Sequence, residues 1–371
     1  MMFDHIVQKG NKLSFDINDI DVSIVNAIRR IILSEVQSIA FAFDPNAKEN
    51  AIKVINNTGS LHNEFICHRV SLIPLHFSQE ELKNFHPDKF NFVLKKENLT
   101  DSMLNVTTED FEIYDETNKQ YPKEFCNRIL PPNSFTKDYI LITKLKPNLF
   151  DKNKGDKIHI EARPSVDKGK AHARWIPTSL CTYYNIVDDK LAEKGLEEYI
   201  KEHKNSDLDE PELRARFNTL EIYRFYKRNK YLEPNSFRFE LETECGLNCS
   251  YIFRTAIEVL IEKLKNFISN IEELNTITVS QSQGMTYFTI NGEDHTLGNI
   301  IQAMLYNIYI RDTDDNELSY IGYFKPHPLE DNIVIKVKAE KEAPKLVQQG
   351  TRKIIEKLDD MLKEWHPTKA T

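Results

Sequence analysis

Two stretches of the chain repeat one another without a gap. "FDINDIDVSIVNAIRRII" runs from Phe15 to Ile32 and "FTINGEDHTLGNIIQAML" from Phe288 to Leu305. Phe15 falls on Phe288, Ile17 on Ile290, Asn18 on Asn291, Asp21 on Asp294, Ser23 on Thr296, Asn26 on Asn299, Ile28 on Ile301 and Ile32 on Leu305. Each copy opens with the alternation of a half-buried strand, Leu13, Phe15 and Ile17 in the first and Phe288 and Ile290 in the second. A turn follows. Ser23 and Thr296 then stand where a side-chain oxygen can accept from the free N–H groups of a first helical turn. Beyond them apolar residues recur at helical spacing: Ile24, Ile28, Ile31 or Ile32 and Val36 in one copy, Leu297, Ile301, Met304 or Leu305 and Ile308 in the other. Two helices with matching stripes can cover one another about a two-fold axis, so the repeat predicts an intramolecular pseudo-dimer.

At 371 residues there is room for two or three domains and ample core. Five cysteines without framework spacing, and no charged-then-apolar leader, lead us to expect a reducing, intracellular setting. No apolar run is long enough to span a bilayer. A formal charge of −8 argues against a protein that neutralises a phosphate backbone by itself. Neither G-x-G-x-x-G nor G-x-x-x-x-G-K-[ST] occurs, so a phosphate cradle has no candidate.

After the first helix, "LHNEFICHRVSLIPLHF" places Leu61, Phe65, His68 or Arg69 and Leu72 at helical spacing before Pro74, which predicts a short amphipathic helix. His62, Cys67, His68 and His76 do not form a zinc set, because adjacent Cys67 and His68 point to different sides of a helix and no C-x-x-C pair exists. From about Gln79 to Lys157, "FNFVL", "FEIYDE" and "DYILITKL" read as strands of a separate, mostly β insertion. Lys168, Lys170, His172 and Arg174 beside Trp175 form a short basic segment, either a solvated loop or a contact for a partner. The stretch from Asp188 to Arg216 alternates in charge and reads as a solvated helix and linker. Phe253, Ile257, Leu260, Leu264, Phe267, Ile271 and Leu274 then step by four and three along a long helix. A closing helix carries Val347, Ile354, Leu358, Met361 and Trp365. Each half thus ends in a strand and a long apolar-seamed helix, and the two helices are expected in or beside the same pseudo-two-fold interface.

The chain resembles the α-like assembly subunits of multisubunit DNA-dependent RNA polymerases: bacterial α, archaeal D and L, and the third and eleventh subunits of eukaryotic polymerase II. "VNAIRRIILSEV" is similar to the α motif, "LHNEFICHRVSLIPL" and "GKAHARWIPT" to third-subunit signatures, and "FTINGEDHTLGNII" with "YIGYFKPHPLEDNIVIKV" to the eleventh subunit. The resemblance implies an α+β fold in which two α-like dimerisation modules, strands plus paired helices, form the pseudo-dimer within one chain. It divides the chain into residues 1–48 (first part of a third-subunit-like module), 49–233 (inserted mostly β domain, with the charged linker near 188–216), 234–274 (return strand and long helix), 275–283 (linker) and 284–371 (eleventh-subunit-like module). Such an order implies a natural fusion of two subunits, as in some large DNA viruses. Joining them near Glu272 to Gln283 makes their pairing intramolecular.

By the same resemblance the protein is a non-catalytic assembly platform that docks the two large catalytic subunits. Arg29, Arg30, Glu64, His68 and Arg69 are the expected contacts for the second-largest subunit, with Lys170, His172 and Trp175 as a second patch. Ile28, Ile32, Leu297, Ile301 and Leu305 are the expected dimerisation core. The alternative for the arginines is simple solvation, and for Glu64 and Arg69 an internal ion pair. No catalytic or metal residue and no cofactor is expected, since isolated Cys126 and Cys181 cannot form the cysteine cluster that many third subunits carry. The expected partners are the largest and second-largest subunits, with small zinc-binding subunits as further candidates. Nucleic acid is met only through the complex, and neither membrane nor homodimer is expected. A viral origin would place the protein in host cytoplasm and virion, with the nucleus as the other option. The competing reading is a free-standing nucleic-acid-binding or protein-interaction scaffold, which leaves the repeat unexplained.

Overall fold

A computed structural model of the chain describes residues 2–47, 50–148, 155–204, 209–273, 277–311, 317–340 and 342–366. It divides into two compact units: Met1–Ile32 with Leu180–Glu242 and Phe253–Thr371, and Leu33–Ser179 with Thr243–Ile252.

The first unit opens with the hairpin β1 (Phe3–Lys9) and β2 (Lys12–Ile17), followed by helix α1 (Val22–Ser34). The second unit then contributes β3 (Gln37–Phe41), β4 (Ile52–Asn57), α2 (Asn63–Ser71), α3 (Gln79–Lys83), β5 (Asn91–Glu97), β6 (Leu104–Thr107), β7 (Phe111–Tyr114), α4 (Lys123–Ile129), β8 (Leu141–Leu145), β9 (Lys157–Ala162) and β10 (Pro164–Lys168). Strand β11 (Thr178–Asn185) leads back to the first unit, where α5 (Asp189–Glu202), α6 (Glu210–Arg216) and β12 (Phe237–Thr243) precede the long helix α7 (Cys249–Glu273). The second copy runs β13 (Ile277–Ser282), β14 (Met285–Asn291), α8 (His295–Tyr306), β15 (Leu318–Phe324), β16 (Asn332–Ala339) and α9 (Ala343–Glu364).

The repeat extends to topology. One sheet has the order β1-β2-β12-β11 and the other β13-β14-β16-β15. Each is a hairpin, a crossover through a short helix, a second strand pair and a long helix. All the paired neighbours with a printed register in both sheets are antiparallel, with Phe15 opposite Phe239 in one and Phe288 opposite Ile335 in the other. The copies differ in their connections. In the first, the second unit lies between α1 and β11, and α5 and α6 lie between β11 and β12. In the second, the turn "KPHPLED" joins β15 to β16.

The two modules share a core. Trp365, just past α9, lies 5.0 Å from the Phe3 ring, 4.8 Å from Phe15 and 4.6 Å from Phe253, centroid to centroid. Phe15 stacks in turn on Phe239 at 5.5 Å. A tryptophan of the second copy therefore completes the apolar layer over the first copy's sheet. Ile28, Ile32, Leu297, Ile301 and Leu305 are all buried, and so are Phe253, Ile257, Leu260, Leu264, Phe267 and Ile271 of α7. Leu274, the last step of that seam, and part of the linker 275–283 lie outside the described residues.

The second unit is built on the sheet β4-β9-β5-β7, with the two-stranded sheets β10-β3 and β6-β8 beside it. Phe41, Phe77, Phe92, Phe111 and the Ile158–Ile160 strand residues belong to its core. The expected insert was 49–233, but the unit starts at Leu33 and its main segment ends at Ser179. The reason is strand pairing: β3 pairs with β10, which keeps residues from 37 onward with the insert, whereas β11 pairs with β12 in the first unit's sheet. The charged stretch 188–216 contains helices rather than a bare linker, and its residues 205–208 lie outside the described ones. Ala192, Gly195, Leu213 and Phe217 are buried there. Gly195 lets the helix approach Phe225, since a Cβ at that position would fall 2.1 Å from the ring.

The expectation for the helix starts is corrected. The helix N-caps are Asp294, whose Oδ1 accepts from Thr296 N at 2.8 Å, and Asp21, whose Oδ1 accepts from Ser23 N at the same distance. Ser23 and Thr296 lie two residues further in, within the first turn, because the carboxylate before them is the stronger acceptor at a positive helix end. Helix α2 turns its other face inward. Ile66, Cys67 and Val70 are buried, whereas Phe65, His68, Arg69 and Leu72 are exposed.

Ile301 has no exposed surface. Ile301→Asp would bury an unpaired carboxylate, at several kcal/mol. We expect a clear fall in the urea midpoint of the full chain; an unchanged midpoint would remove Ile301 from the core. Gly195→Val should likewise lower the midpoint, through a stability loss of roughly 1–3 kcal/mol from overpacking against Phe225.

Inter-copy clasp and candidate docking cleft

The two copies are joined by polar contacts at the helix ends as well as by Trp365. Arg30 Nε donates to Thr296 Oγ1 at 2.8 Å, and its Nη2 to Asp294 Oδ2 at 3.1 Å. Asn307 Nδ2 donates to Asp21 Oδ2 at 2.9 Å. Lys263 of α7 pairs with Glu293 at 3.0 Å. Arg311, after α8, donates through both Nη atoms to the Glu233 carboxylate and lies over the Tyr231 ring at 4.2 Å. Met2 N donates to Glu364 Oε2 at 2.9 Å. Burial raises the Asp294 pKa, but hydrogen bonds from Thr296 and the charges of Arg30 and Lys263 outweigh it and hold the carboxyl below its ordinary value.

Of the expected partner residues in the first unit, Arg30 is thus engaged by the second copy. Arg29 is half-buried and donates from Nε and Nη2 to Asn26 Oδ1 at 3.2 and 3.0 Å.

In the second unit, Glu64, His68, His172 and Trp175 come together around one cleft of about 760 Å³, with Phe65 and Arg174 also in its wall. The start of α2 supplies one side. His62 caps that helix, its Nδ1 accepting from Glu64 N at 3.4 Å. The segment between β10 and β11 supplies the other, folded around Arg174. That guanidinium donates to the carbonyls of Phe41 and Phe43 at 3.0 and 2.8 Å and to His172 Nδ1 at 3.1 Å, and lies over the Trp175 ring at 5.4 Å. Trp175 Nε1 donates to Ser165 O at 3.2 Å, while its carbonyl accepts from Ser38 Oγ at 2.7 Å. The basic segment is therefore bound up in local structure: Lys168 pairs with Glu35 at 3.3 Å, and burial lowers the Arg174 and His172 pKa values. Lys170 is exposed and outside the cleft wall, its backbone N–H donating to Ser34 O.

Arg69 does not pair with Glu64. Its Nε and Nη2 donate to the Ile142 and Leu141 carbonyls of β8 at 2.9 and 2.6 Å, which leaves Glu64 facing the cleft. The sequence reading missed Arg174 as the organiser of this site; the signal available was its place next to Trp175. It also missed Phe65 as a cleft residue, placing it only in the periodic stripe of the helix. The cleft combines an apolar wall with carboxylates and imidazoles on its rim, a surface suited to a polypeptide. No group of three or more His, Cys, Asp or Glu suited to a metal occurs among the described residues. Among the same residues no helix is long and apolar enough to cross a membrane.

Two like modules closed on one another form one unit and a cleft opens in the other, an arrangement that defines a paired-module scaffold. The sequence pattern of the RNA polymerase Rpb3/Rpb11 dimerisation domain matches residues 14–264, more than half the chain, and a second pattern of the same description matches residues 286–364. The chain belongs to the RNA polymerase Rpb3/Rpb11 dimerisation-domain family and contains that domain twice. It is 28% identical over 183 residues to the conjugation stage-specific protein of Tetrahymena thermophila, covering 46% of this chain and 55% of that one. It is 28% identical over 209 residues to subunit 3B of the DNA-directed RNA polymerases IV and V of Arabidopsis thaliana, covering 53% and 60%. To the DNA-directed RNA polymerase subunit Rpo3 of Thermococcus kodakarensis it is 25% identical over 290 residues, covering 73% and 98%. The chain spans less than two thirds of the length of the first two of these relatives.

Arg30→Ala should lower stability by about 1–2 kcal/mol, chiefly by leaving the Thr296 hydroxyl without its donor. The partly exposed ion pair adds under about 1 kcal/mol. Because the folded pKa of Asp294 lies below the unfolded value of ~3.9, its stabilisation is present above that value and is lost as pH falls through the folded pKa. Urea midpoints recorded from pH 6 down to pH 3 should therefore fall less steeply in Asp294→Asn than in the wild type.

Proposed function

We propose that the protein is the non-catalytic assembly platform of a DNA-dependent RNA polymerase and docks the two large catalytic subunits for transcription. One observation carries this reading: two Rpb3/Rpb11 dimerisation domains stand in one chain and share a core through Trp365. Relatives named as polymerase subunits support it. In this reading the chain is a natural fusion of a third-type and an eleventh-type subunit. Ile28, Ile32, Leu297, Ile301 and Leu305 form its dimerisation core, and their complete or near-complete burial supports that role. Fusion makes the pairing intramolecular, so no separate second half is needed.

The cleft of the second unit is the docking surface we assign to the second-largest subunit, with Glu64, His68, His172 and Trp175 in its wall. Arg29, Arg69 and Lys170 are further contacts in this proposal. Arg30 serves the clasp first. The small zinc-binding polymerase subunits are proposed as additional partners, and nucleic acid is met only through the assembled complex. The fused arrangement is also the ground for proposing a large DNA virus as the source, and host cytoplasm and virion as the location.

A tagged full-length chain, recovered from its native source, should bring down two very large chains in fixed proportion with template-dependent RNA synthesis. Recovery alone, or as a homo-oligomer without that activity, would overturn the reading. Phe65 is 67% exposed, so Phe65→Ala should leave melting unchanged while reducing co-elution of the large chains about tenfold.

A further inference from the structure

A two-fold pairing of like modules makes each contact twice: where residue i of one copy meets j of the other, the mate of i meets the mate of j. Arg30 meets Asp294 and Thr296. In the ungapped alignment the mate of Arg30 is Ala303, and the mates of its acceptors are Asp21 and Ser23. A methyl group cannot make the second contact. At that place lies a cavity of about 590 Å³, with Asp19, Asp21, Ser23, Asn299, Ala303 and Lys357 in its wall.

Ser23 is only 3% exposed, and its Oγ is buried without a hydrogen-bond partner among the described residues. The matching Thr296 Oγ1 accepts from Arg30. Asp21 repeats the posture of Asp294 as well. Its Oδ1 caps the helix through Ser23 N, and its Oδ2 accepts from Asn307, leaving lone pairs on both oxygens. Lys357 does not replace the missing arginine, because it has its own counterpart. Lys263 of α7 acts on Asp294 as Lys357 of α9 acts on Asp21 and Asp19. Burial draws the Lys357 ammonium below the ordinary lysine value, while Asp21 and Asp19 act in the opposite direction. Arg311, also in the wall, is held by Glu233 and by Asn307 Oδ1 at 3.0 Å, and its bonds go to these groups rather than to Ser23. Thr296 thus has a guanidinium donor and its mate Ser23 has none among the described residues.

We propose that this cavity receives the guanidinium of an arginine presented by a partner polypeptide, with the Asp21 carboxylate and Ser23 Oγ as acceptors. Arg30 shows the geometry required, since its Nε and Nη2 reach a hydroxyl and a carboxylate together. A guanidinium holds its donors in a rigid planar fork that spans both acceptors, whereas an ammonium is a compact point charge on a flexible stem. An in-chain arginine fits better than the free amino acid, whose own carboxylate would enter among Asp19, Asp21 and Glu233.

The test is calorimetric titration of the full-length chain with N-acetyl-arginine amide, N-acetyl-lysine amide and free L-arginine. Saturable binding of the first, at least about tenfold tighter than either of the others, is expected. Ser23→Ala, which removes one oxygen, should weaken it about tenfold, and Lys357→Met should tighten it. Ala303→Arg should fill the cavity from within, abolish binding and raise the melting temperature. Equal affinities for the arginine and lysine amides, preference for free L-arginine, or binding unaltered in Ser23→Ala would each overturn the proposal, and the Ser23 result decides if Ala303→Arg does not fold.

Discussion

The packing of Trp365 against Phe3, Phe15 and Phe253 is the contact on which the first unit depends. Each module is a four-stranded sheet with one short and one long helix, and such a layer needs apolar cover on its inner face. The first module takes part of that cover from the end of the second. Folding of either half to its final packing is therefore tied to folding of the other. Covalent linkage makes the tie efficient, because a partner on the same chain is always at high local concentration.

Around this core the helix ends do two jobs at once. Asp21 and Asp294 each cap a helix of their own copy and each accept a donor from the other copy. An N-cap carboxylate is already ordered by its backbone bond, so the incoming side chain gains a fixed acceptor with little further loss of freedom. Arg30 exploits this on one side, and Asn307 on the other. The pairing is two-fold in backbone and one-sided in charge, and that difference leaves a cavity where symmetry calls for an arginine.

In the second unit the basic segment beside Trp175 is a local brace. Arg174 spends its donors on two carbonyls and an imidazole, which shapes the cleft without leaving a basic face to the solvent. The wall of the cleft is made by what α2 leaves outward, Glu64, Phe65 and His68, together with Trp175 and His172. That helix has two apolar faces to offer. Leu61, Phe65 and Leu72 are as well spaced as Ile66, Val70 and Ile73, and spacing alone does not choose between them. The second set is buried in the core with strands of the sheet, whereas Phe65 and Leu72 stay exposed and Leu61 packs against the core's edge.

The sequence by itself determined the two copies, their strand and helix types, the apolar faces of α1, α7, α8 and α9, and the family to which they point. These follow from periodicity and from residues within a few positions of one another, where the side chain and the backbone it acts on are adjacent. Tertiary structure decided that Asp21 and Asp294, not Ser23 and Thr296, accept at the helix starts, that residues 180–242 pair back into the first sheet, and that α2 buries Ile66 rather than Phe65. It also decided that Arg30 finds its acceptors across the pseudo-dimer interface. Local pattern shows which groups need a partner; only the path of the folded chain determines which distant group supplies it.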